Sequence, residues 1–174
     1  MPETQKYWKF GAMIAVCMTA MFALMYLNTY EFSHVWWSET RLYMTFIMGA
    51  AMAVIMLGFM LGMYRNSRIN RAVFAGSAFV FVLALWLVRS QATIEDRSWM
   101  SAMIPHHSIA ILTSERANIK DVRVRKLADT IIEAQRREIR EMQWLVEDIR
   151  ENGAVKTAQD AGARRVPDFS EIPD

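Results

Sequence analysis

Methionine and histidine recur at helical spacing within residues 100–107, and these residue types are those of a metal site. Met100, Met103 and His107 follow one another at intervals of three and four residues, which places them on one face of a helix. Thioethers combined with an imidazole suit Cu(I), whereas imidazole alone suits Cu(II) or zinc. The spacing therefore predicts a metal site, with Cu(I) as the first candidate and Cu(II) or zinc as alternatives.

A second stretch, residues 121–152, supplies the other candidate ligands. Its seam positions alternate at spacings of four and three, which is typical of a helix that packs along another helix. The seam consists of Val124, Ala128, Ile131, Gln135, Glu138, Met142, Leu145 and Ile149. A chain reversal near residue 119 places His107 opposite Ile132, with the polar seam positions about a turn away. The two stretches therefore bring their candidate ligands to one level.

The predicted ligand set has two competing interpretations. It comprises Met100, Met103, His106, His107, Glu138 and Met142. His106 lies about 100° around the helix from His107, so it belongs to a different face. In the alternative interpretation the methionines fill gaps in an apolar core, Glu138 pairs with Arg137 or Arg140, and the two helices only drive oligomerisation. No nucleophile–base pair and no pair of catalytic carboxylates is visible, so we do not expect an enzyme.

Charge is distributed unevenly along the chain, which indicates how these helices are anchored. Residues 1–90 carry seven Lys/Arg and three acids, whereas the rest carries thirteen basic and fifteen acidic side chains. Within residues 1–90 there are three uncharged runs, each close to the roughly 20 residues that a membrane-spanning helix needs. These runs are 10–30, 42–64 and 72–88. The pattern predicts three transmembrane helices in a lipid bilayer.

The remaining sequence predicts an all-α chain with three parts. Residues 1–90 form the membrane domain, residues 91–152 an extramembrane antiparallel two-helix hairpin, and residues 153–174 a polar tail that is mobile or docks. In the hairpin, Asp121 is placed to cap the second helix, which runs to about Asn152. The slightly acidic second half excludes a nucleic-acid-binding surface of the usual kind. A single cysteine excludes a disulfide scaffold.

Basic residues indicate the orientation of the three spans. The loop 64–71 holds three arginines and no acid, and Lys6 and Lys9 precede the first span. The positive-inside rule places these two segments in the cytoplasm. Three crossings then place everything after Arg89 outside, which is the periplasm for a protein of a bacterial inner membrane.

The residues that carry the candidate ligands also resemble a known family. The pattern is Asp96-x-x-Trp99-x-x-x-Met103-Ile104-Pro105-His106-His107-x-x-Ala110-Ile111, followed by Ile132-x-Ala134-Gln135-x-x-Glu138-Ile139-x-x-Met142-x-Trp144-Leu145. It resembles the domain-of-unknown-function family 305, in a membrane-anchored subgroup with three spans before the motif. The resemblance covers residues 92–150. It implies a ferritin-like helical fold in a bacterial envelope protein, with roles in copper binding and copper resistance.

The second predicted span carries a methionine ladder of its own. Its members are Met44, Met48, Met52, Met56 and Met60. This ladder is similar to the Met-x-x-x-Met pattern of three-span copper importers, so a further alternative is a methionine-lined copper transport subunit. Gly58-x-x-x-Gly62 in the same segment predicts close packing against another helix.

The width of the apolar face predicts assembly. Leu127, Ile132, Ile139 and Val146 lie beside the seam of the second hairpin helix, and one partner helix does not cover so broad a face. Two hairpins from two subunits complete a four-helix bundle. We therefore expect a homo-oligomer, with two subunits as the simplest case and larger rings through Gly58 and Gly62 as an alternative. The expected function is binding of Cu(I) in the periplasm, for sequestration or handover to a periplasmic copper chaperone.

Overall fold

Helices account for the regular structure of the chain. A computed structural model describes residues 2–169, and within that range every regular element is helical. The elements are α1 (Glu3–Leu24), α2 (Glu39–Phe59), α3 (Ser67–Ser90), α4 (Asp96–Arg116), α5 (Val122–Asn152) and α6 (Ala158–Ala163), with a short 3₁₀ turn at Phe32–His34. The predicted all-α class is confirmed for the described residues. Residues 170–174 of the predicted tail, and residue 1, lie outside them.

Three helices are long and apolar enough to cross a membrane, namely α1, α2 and α3, with 22, 21 and 24 residues. Their bounds differ from the uncharged runs of the sequence. α1 includes Lys6 and Lys9 and ends at Leu24 rather than at residue 30, and α2 ends at Phe59 rather than at residue 64. Absence of charge marks the apolar part of a span, whereas the backbone hydrogen bonds of a helix also include charged residues at its ends.

The chain divides into two compact units that are not contiguous in sequence. One, the three-helix unit, consists of residues 2–27 and 39–94 within the described range. The other, the helix-pair unit, consists of residues 28–38 and 95–169. The sequence predicted a boundary at residue 90 and assigned the segment 28–38 to the membrane domain. The structure instead assigns this segment to the unit that contains α4 and α5.

In the three-helix unit, α2 packs against both α1 and α3. The buried cluster on the α1 side consists of Phe10, Ala53, Leu57 and Tyr64. At Gly49 of α2, an added Cβ would overlap the side chain of Met18 of α1. By contrast, a Cβ at Gly58 or Gly62 would meet nothing within 4 Å.

The expected packing through Gly58 and Gly62 is therefore absent among the described residues. Since α2 ends at Phe59, Gly62 lies in the following turn and the two glycines do not form one helical face. Gly49 is the glycine whose missing side chain leaves room for Met18 of α1.

The helix-pair unit is built on α4 and α5, which are joined by five residues and run in opposite directions. Glu115, near the end of α4, pairs with Arg136 at 3.1 Å, while His107 lies beside Glu138 farther along α5. The buried cluster between the helices consists of Met100, Ile104, Ile111, Ile139, Met142 and Val146. This is the seam that should stabilise the unit, since it removes large apolar side chains from water.

The start of α5 follows the prediction. Asp121 is the N-cap, and its Oδ1 accepts the backbone N–H of Arg123 at 2.8 Å. The Arg123 guanidinium also donates to this carboxylate. These hydrogen bonds lower the pKa of Asp121 to about 2.

The contact that His107 makes with α5 lies near the expected level. Ile132 was expected opposite His107, with the polar seam positions about a turn away, and Oε2 of Glu138 lies 3.4 Å from Nδ1 of His107. Side chains on a helix lean toward its N-terminus. In an antiparallel pair, the α4 side chains lean away from the connection and those of α5 lean toward it. A long α5 side chain such as Glu138 therefore reaches an α4 residue nearer the connection than its own Cα level.

The packing at Gly49 gives a direct test of the three-helix unit. We expect Gly49→Val to lower the thermal stability of the detergent-purified protein, at the lower end of the about 1–3 kcal/mol that overpacking costs, because the Met18 side chain that it displaces is flexible. Gly58→Val is the matched control and should leave the unfolding temperature near that of the wild type. Circular dichroism during heating measures both variants. Equal stability of both variants and the wild type would show that the packing of Met18 against α2 does not require a glycine at position 49.

Candidate functional site

The sequence of α4 positions three of the candidate ligands on one face. Met100 is 4% exposed, while Met103 and His107 are half-buried along the same stripe. Pro105 lies inside α4 rather than at the first position of a helix. It has no N–H to donate to the carbonyl of Ser101, four residues earlier. Met103 and His107 are one turn apart on either side of this interruption.

His107 has an unusual environment for an imidazole. Its Nδ1 is buried and has no hydrogen-bond partner among the described residues. Glu138 Oε2 lies 3.4 Å from Nδ1, but the pair does not meet the geometry of a hydrogen bond. The same Glu138 oxygen accepts the side-chain N–H of Gln135 at 3.4 Å. A buried nitrogen without a hydrogen-bond partner lowers stability. Its presence at one level with thioether sulfurs is consistent with a ligand site.

Burial determines the charge state of His107. Removal from water lowers its pKa, and this effect outweighs the opposing influence of Glu138; the neighbouring His106 lowers the pKa further. The ring is therefore neutral at pH 7, with one nitrogen lone pair available. A neutral imidazole is the form that binds a metal ion.

The methionines of the predicted set lie in and around the core of the helix pair. Met100 and Met142 are members of its buried cluster, and Met103 packs against that cluster. Met142 and Glu138 are four residues apart on α5 and so share a face. His106 differs from the others because it is exposed, with its ring 6.0 Å from that of His107 and tilted by 60°. Five of the six predicted residues therefore lie along the α4–α5 seam.

The residue types along this seam limit the metals that it could hold. Within residues 2–169, no group of three or more His, Cys, Asp or Glu side chains is arranged to bind a metal. The other donor atoms along this seam are the sulfurs of Met100, Met103 and Met142. Thioether ligands suit Cu(I) better than zinc or Cu(II).

Sequence reasoning missed a polar contact next to His107. Ser108 is 0% exposed, and its Oγ accepts the backbone N–H of Tyr30 at 2.7 Å. The same oxygen lies 3.0 Å from Nδ1 of the buried His34. Tyr30 and Trp36 also pack against the buried cluster of the helix pair. The segment 28–38 is thus attached to α4 at the residue that follows His107.

The His34–Ser108 contact has the composition of a nucleophile–base pair, with Glu31 Oε2 3.9 Å from His34 Nε2. Its geometry is nevertheless that of a structural contact, because Ser108 has no exposed surface and its oxygen already accepts a backbone N–H. The two residues are separated by 74 positions. Nothing in the local pattern of either segment identifies such a contact in advance.

The described part of the tail packs against the helix pair through Arg164. Its guanidinium pairs with Asp148 at 2.7 Å and donates to the carbonyls of Asn152 and Gly153 at 3.3 and 2.6 Å. A cavity of about 410 Å³ lies between this segment and the helices, with Met100 among the residues that line it.

The architecture is that of an all-α protein with three candidate membrane spans and a Met/His-bearing helix pair. Residues 87–166 match the family described as "Domain of unknown function (DUF305)". This is the domain family that the residue pattern predicted, and the match extends beyond the expected range of 92–150.

Among curated proteins, the chain is similar to an uncharacterized protein of Acanthamoeba polyphaga mimivirus. The two are 28% identical over 145 residues, which cover 79% of this chain and 93% of that protein. The helix-pair unit makes up little more than half of the chain. An alignment over 79% of the chain therefore also includes part of the three-helix unit. No solved structure matches the chain significantly.

The environment of His107 predicts how it titrates. Since Glu138 raises the pKa of His107 against the effect of burial, Glu138→Gln should lower that pKa further. Histidine ring signals in NMR spectra of the metal-free protein, followed against pH, measure the change. His34, whose pKa is lowered by burial and raised by Glu31, is the internal control and should titrate as in the wild type.

The same linkage sets the dependence of stability on pH. An unfolded histidine takes up its proton near pH 6.5, whereas folded His107 and His34 take up theirs at lower pH. The unfolded chain therefore binds more protons in that window, and the free energy of unfolding falls as the pH drops through it.

For the titration of His107, a pKa that rises in the Glu138→Gln variant would contradict the geometry described above.

Proposed function

We propose that this chain is a membrane-anchored protein that binds Cu(I) through the methionine and histidine residues of its helix pair. The proposal places it in a bacterial inner membrane, with the N-terminus in the cytoplasm and the helix pair in the periplasm. There it sequesters Cu(I) or hands it to a periplasmic copper chaperone. The observation that carries the proposal is the buried, unpartnered Nδ1 of a neutral His107 on a seam lined with thioethers.

The proposed ligands divide by position. Met103 and His107 lie one turn apart on α4 and form the centre of the site, with Met100 and Met142 as further sulfur donors from the buried cluster. Glu138, 3.4 Å from His107, orients the imidazole or contributes an oxygen. Methionine has no proton to lose, so its binding survives acidic surroundings, while His107 loses affinity when it is protonated.

Two alternatives account for fewer of the observations. A purely structural helix pair explains why Met100 and Met142 are buried, but it leaves the unpaired Nδ1 of His107 without a function. A methionine-lined transport path through α2 is weakened by the packing of Met56 and Met60 against the buried cluster of the three-helix unit. These two side chains serve as apolar contacts there, which is the common use of methionine.

Cu(I) affinity separates the proposal from the structural alternative. With the full chain in detergent under anaerobic conditions, competition against a chromophoric Cu(I) chelator gives the dissociation constant. His107→Ala should weaken binding by more than about 100-fold, because loss of a ligand exceeds the 10–100-fold effect of its supporting residues. His106→Ala is the matched control, since it removes an adjacent but exposed imidazole, and it should have the smaller effect.

The methionine contribution has its own control. Met103→Leu keeps the apolar volume and removes the sulfur, so it should also weaken Cu(I) binding. Met44→Leu makes the same change in α2 and should not. Equal and negligible effects of His107→Ala and His106→Ala, with unchanged helical content by circular dichroism, would favour the structural alternative.

We also propose that the chain is a homo-oligomer in which two helix pairs form a ferritin-like four-helix bundle. Ile139 and Val146, which were expected to need a further helix, are buried within one chain. Support is therefore confined to the first turns of α5, where Val122 and Leu127 are 82% and 60% exposed. Large apolar side chains that remain in water on an otherwise packed helix are typical of an interface. The exposed His106 is then available to a neighbouring subunit.

The oligomeric state tests this assembly. Mass measurement in detergent, with the detergent contribution subtracted, should give at least two copies of the chain. Leu127→Lys should reduce the mass toward one copy, because it places a charge in the apolar contact. Asp129→Lys, two residues away and exposed, is the control. A wild-type protein that is strictly monomeric, folded and able to bind metal would rule out the shared bundle.

A further inference from the structure

One end of the three-helix unit carries a concentration of positive charge. The basic residues there are Lys6 and Lys9 of α1, Arg65 of the α2–α3 turn, and Arg68 and Arg71 of α3. All of them are exposed except Lys6, which is half-buried. Glu3 is the only acid within residues 2–9 and 60–71. We call this set of five residues the basic end.

A buried polar network holds the basic end together. Tyr7 Oη donates to Asn70 Oδ1 at 2.7 Å and accepts the backbone N–H of Asn66 at 3.2 Å. Asn70 in turn donates to the carbonyl of Tyr64 at 2.8 Å. The rings of Tyr7 and Tyr64 also contact each other, with their centroids 5.0 Å apart and their planes tilted by 55°. The start of α1 is therefore joined to the α2–α3 turn, which brings the lysines and arginines to one surface.

The arginines of the basic end have no acidic partner among residues 2–169. The Nε atoms of Arg65 and Arg71 donate only to backbone carbonyls, those of Gly62 and Ser67. Among the described residues, the side chain of Arg68 makes no hydrogen bond or ion pair. The basic residues of the helix-pair unit differ, since several pair with a carboxylate; examples are Arg123 with Asp121, Arg125 with Asp129 and Arg136 with Glu115.

The position of the basic end indicates which anions are available to balance its positive charge. It lies where the apolar helices α1, α2 and α3 begin or end, beside Trp8, which is 77% exposed. Exposed tryptophan at the end of a span is typical of the level of the lipid headgroups. At that level the available anions are lipid phosphates, and guanidinium groups bind phosphate in a bidentate geometry.

From this arrangement we infer that the basic end is a binding surface for anionic phospholipid headgroups. The three arginines contact the phosphate groups, and the two lysines contribute further positive charge. The inference is independent of the copper proposal, because it uses only residues of the three-helix unit. It also applies to either orientation of the chain.

The experiment measures lipid selectivity with the full chain in mixed vesicles. The vesicles contain phosphatidylcholine with a minor fraction of fluorescent phosphatidylglycerol, and energy transfer from the protein's tryptophans reports enrichment of the anionic lipid around it. We expect clear enrichment for the wild type and a reduction of about threefold or more when Arg65, Arg68 and Arg71 are all changed to Gln. Phosphatidylcholine that carries the same fluorophore should show no enrichment.

Single substitutions provide the matched comparison. Arg68→Gln should reduce enrichment, whereas Arg89→Gln, which removes an exposed charge from the opposite end of α3, should not. Equal enrichment for the wild type and the triple variant, both with native helical content, would overturn the inference. Should the triple variant not fold, increasing salt with the wild-type protein replaces it. Enrichment that falls with salt supports a charge-based surface, and enrichment that does not fall overturns it.

Inorganic phosphate separates a lipid surface from a site for the free ion. Isothermal titration of the detergent-purified protein with phosphate should show no binding of its own, since the three arginines are exposed to solvent. Saturable binding of phosphate that is lost in the triple variant, together with loss of lipid enrichment when phosphate is added, would assign the basic end to the free ion and overturn the lipid inference.

Discussion

Packing of α4 against α5 is the interaction on which the helix-pair unit depends, because it removes both apolar side chains and one imidazole nitrogen from water. Ile104, Ile111 and Ile139 are almost completely buried along this seam. Their burial fixes the helices closely enough that His107 Nδ1 loses its solvent without gaining a protein partner. Desolvation then keeps the ring neutral. The apolar core and the candidate site are therefore two consequences of one packing arrangement, and a ligand for His107 would relieve the cost of its unpaired nitrogen.

The segment 28–38 extends this unit across a gap in the sequence. The family match begins at residue 87, yet the compact unit that contains α4 and α5 also includes a loop from between the first two apolar helices. Ser108 is central to this attachment, since its buried oxygen contacts both Tyr30 and His34. Because Ser108 follows His107 directly, the loop restrains the part of α4 that carries the candidate ligands. A description of the site limited to the matched residues would omit this restraint.

Charge is balanced differently in the two units. In the helix-pair unit, basic residues pair with carboxylates at its surface, where each pair contributes little to stability but leaves little net charge. At the basic end of the three-helix unit, a buried network of tyrosine and asparagine side chains arranges arginines for which the described residues provide no carboxylate. The helix-pair unit thus balances its charge largely within itself, whereas the lipid inference assigns the counter-charge of the basic end to anionic headgroups.

Local patterns in the sequence determined the helices. Uncharged apolar runs identified α1 to α3, seam periodicity and the cap at Asp121 identified α5, and the Met/His spacing placed Met100, Met103 and His107 on one face, because each of these signals depends on neighbours within a few residues. Tertiary structure alone decided that Gly49 rather than Gly58 faces a side chain of another helix, that Glu138 is the polar seam residue that reaches His107, and that His34 reaches Ser108. These outcomes depend on the lean of side chains across a helix pair and on contacts between distant segments. Periodicity carries no information about either, since it describes one helix at a time.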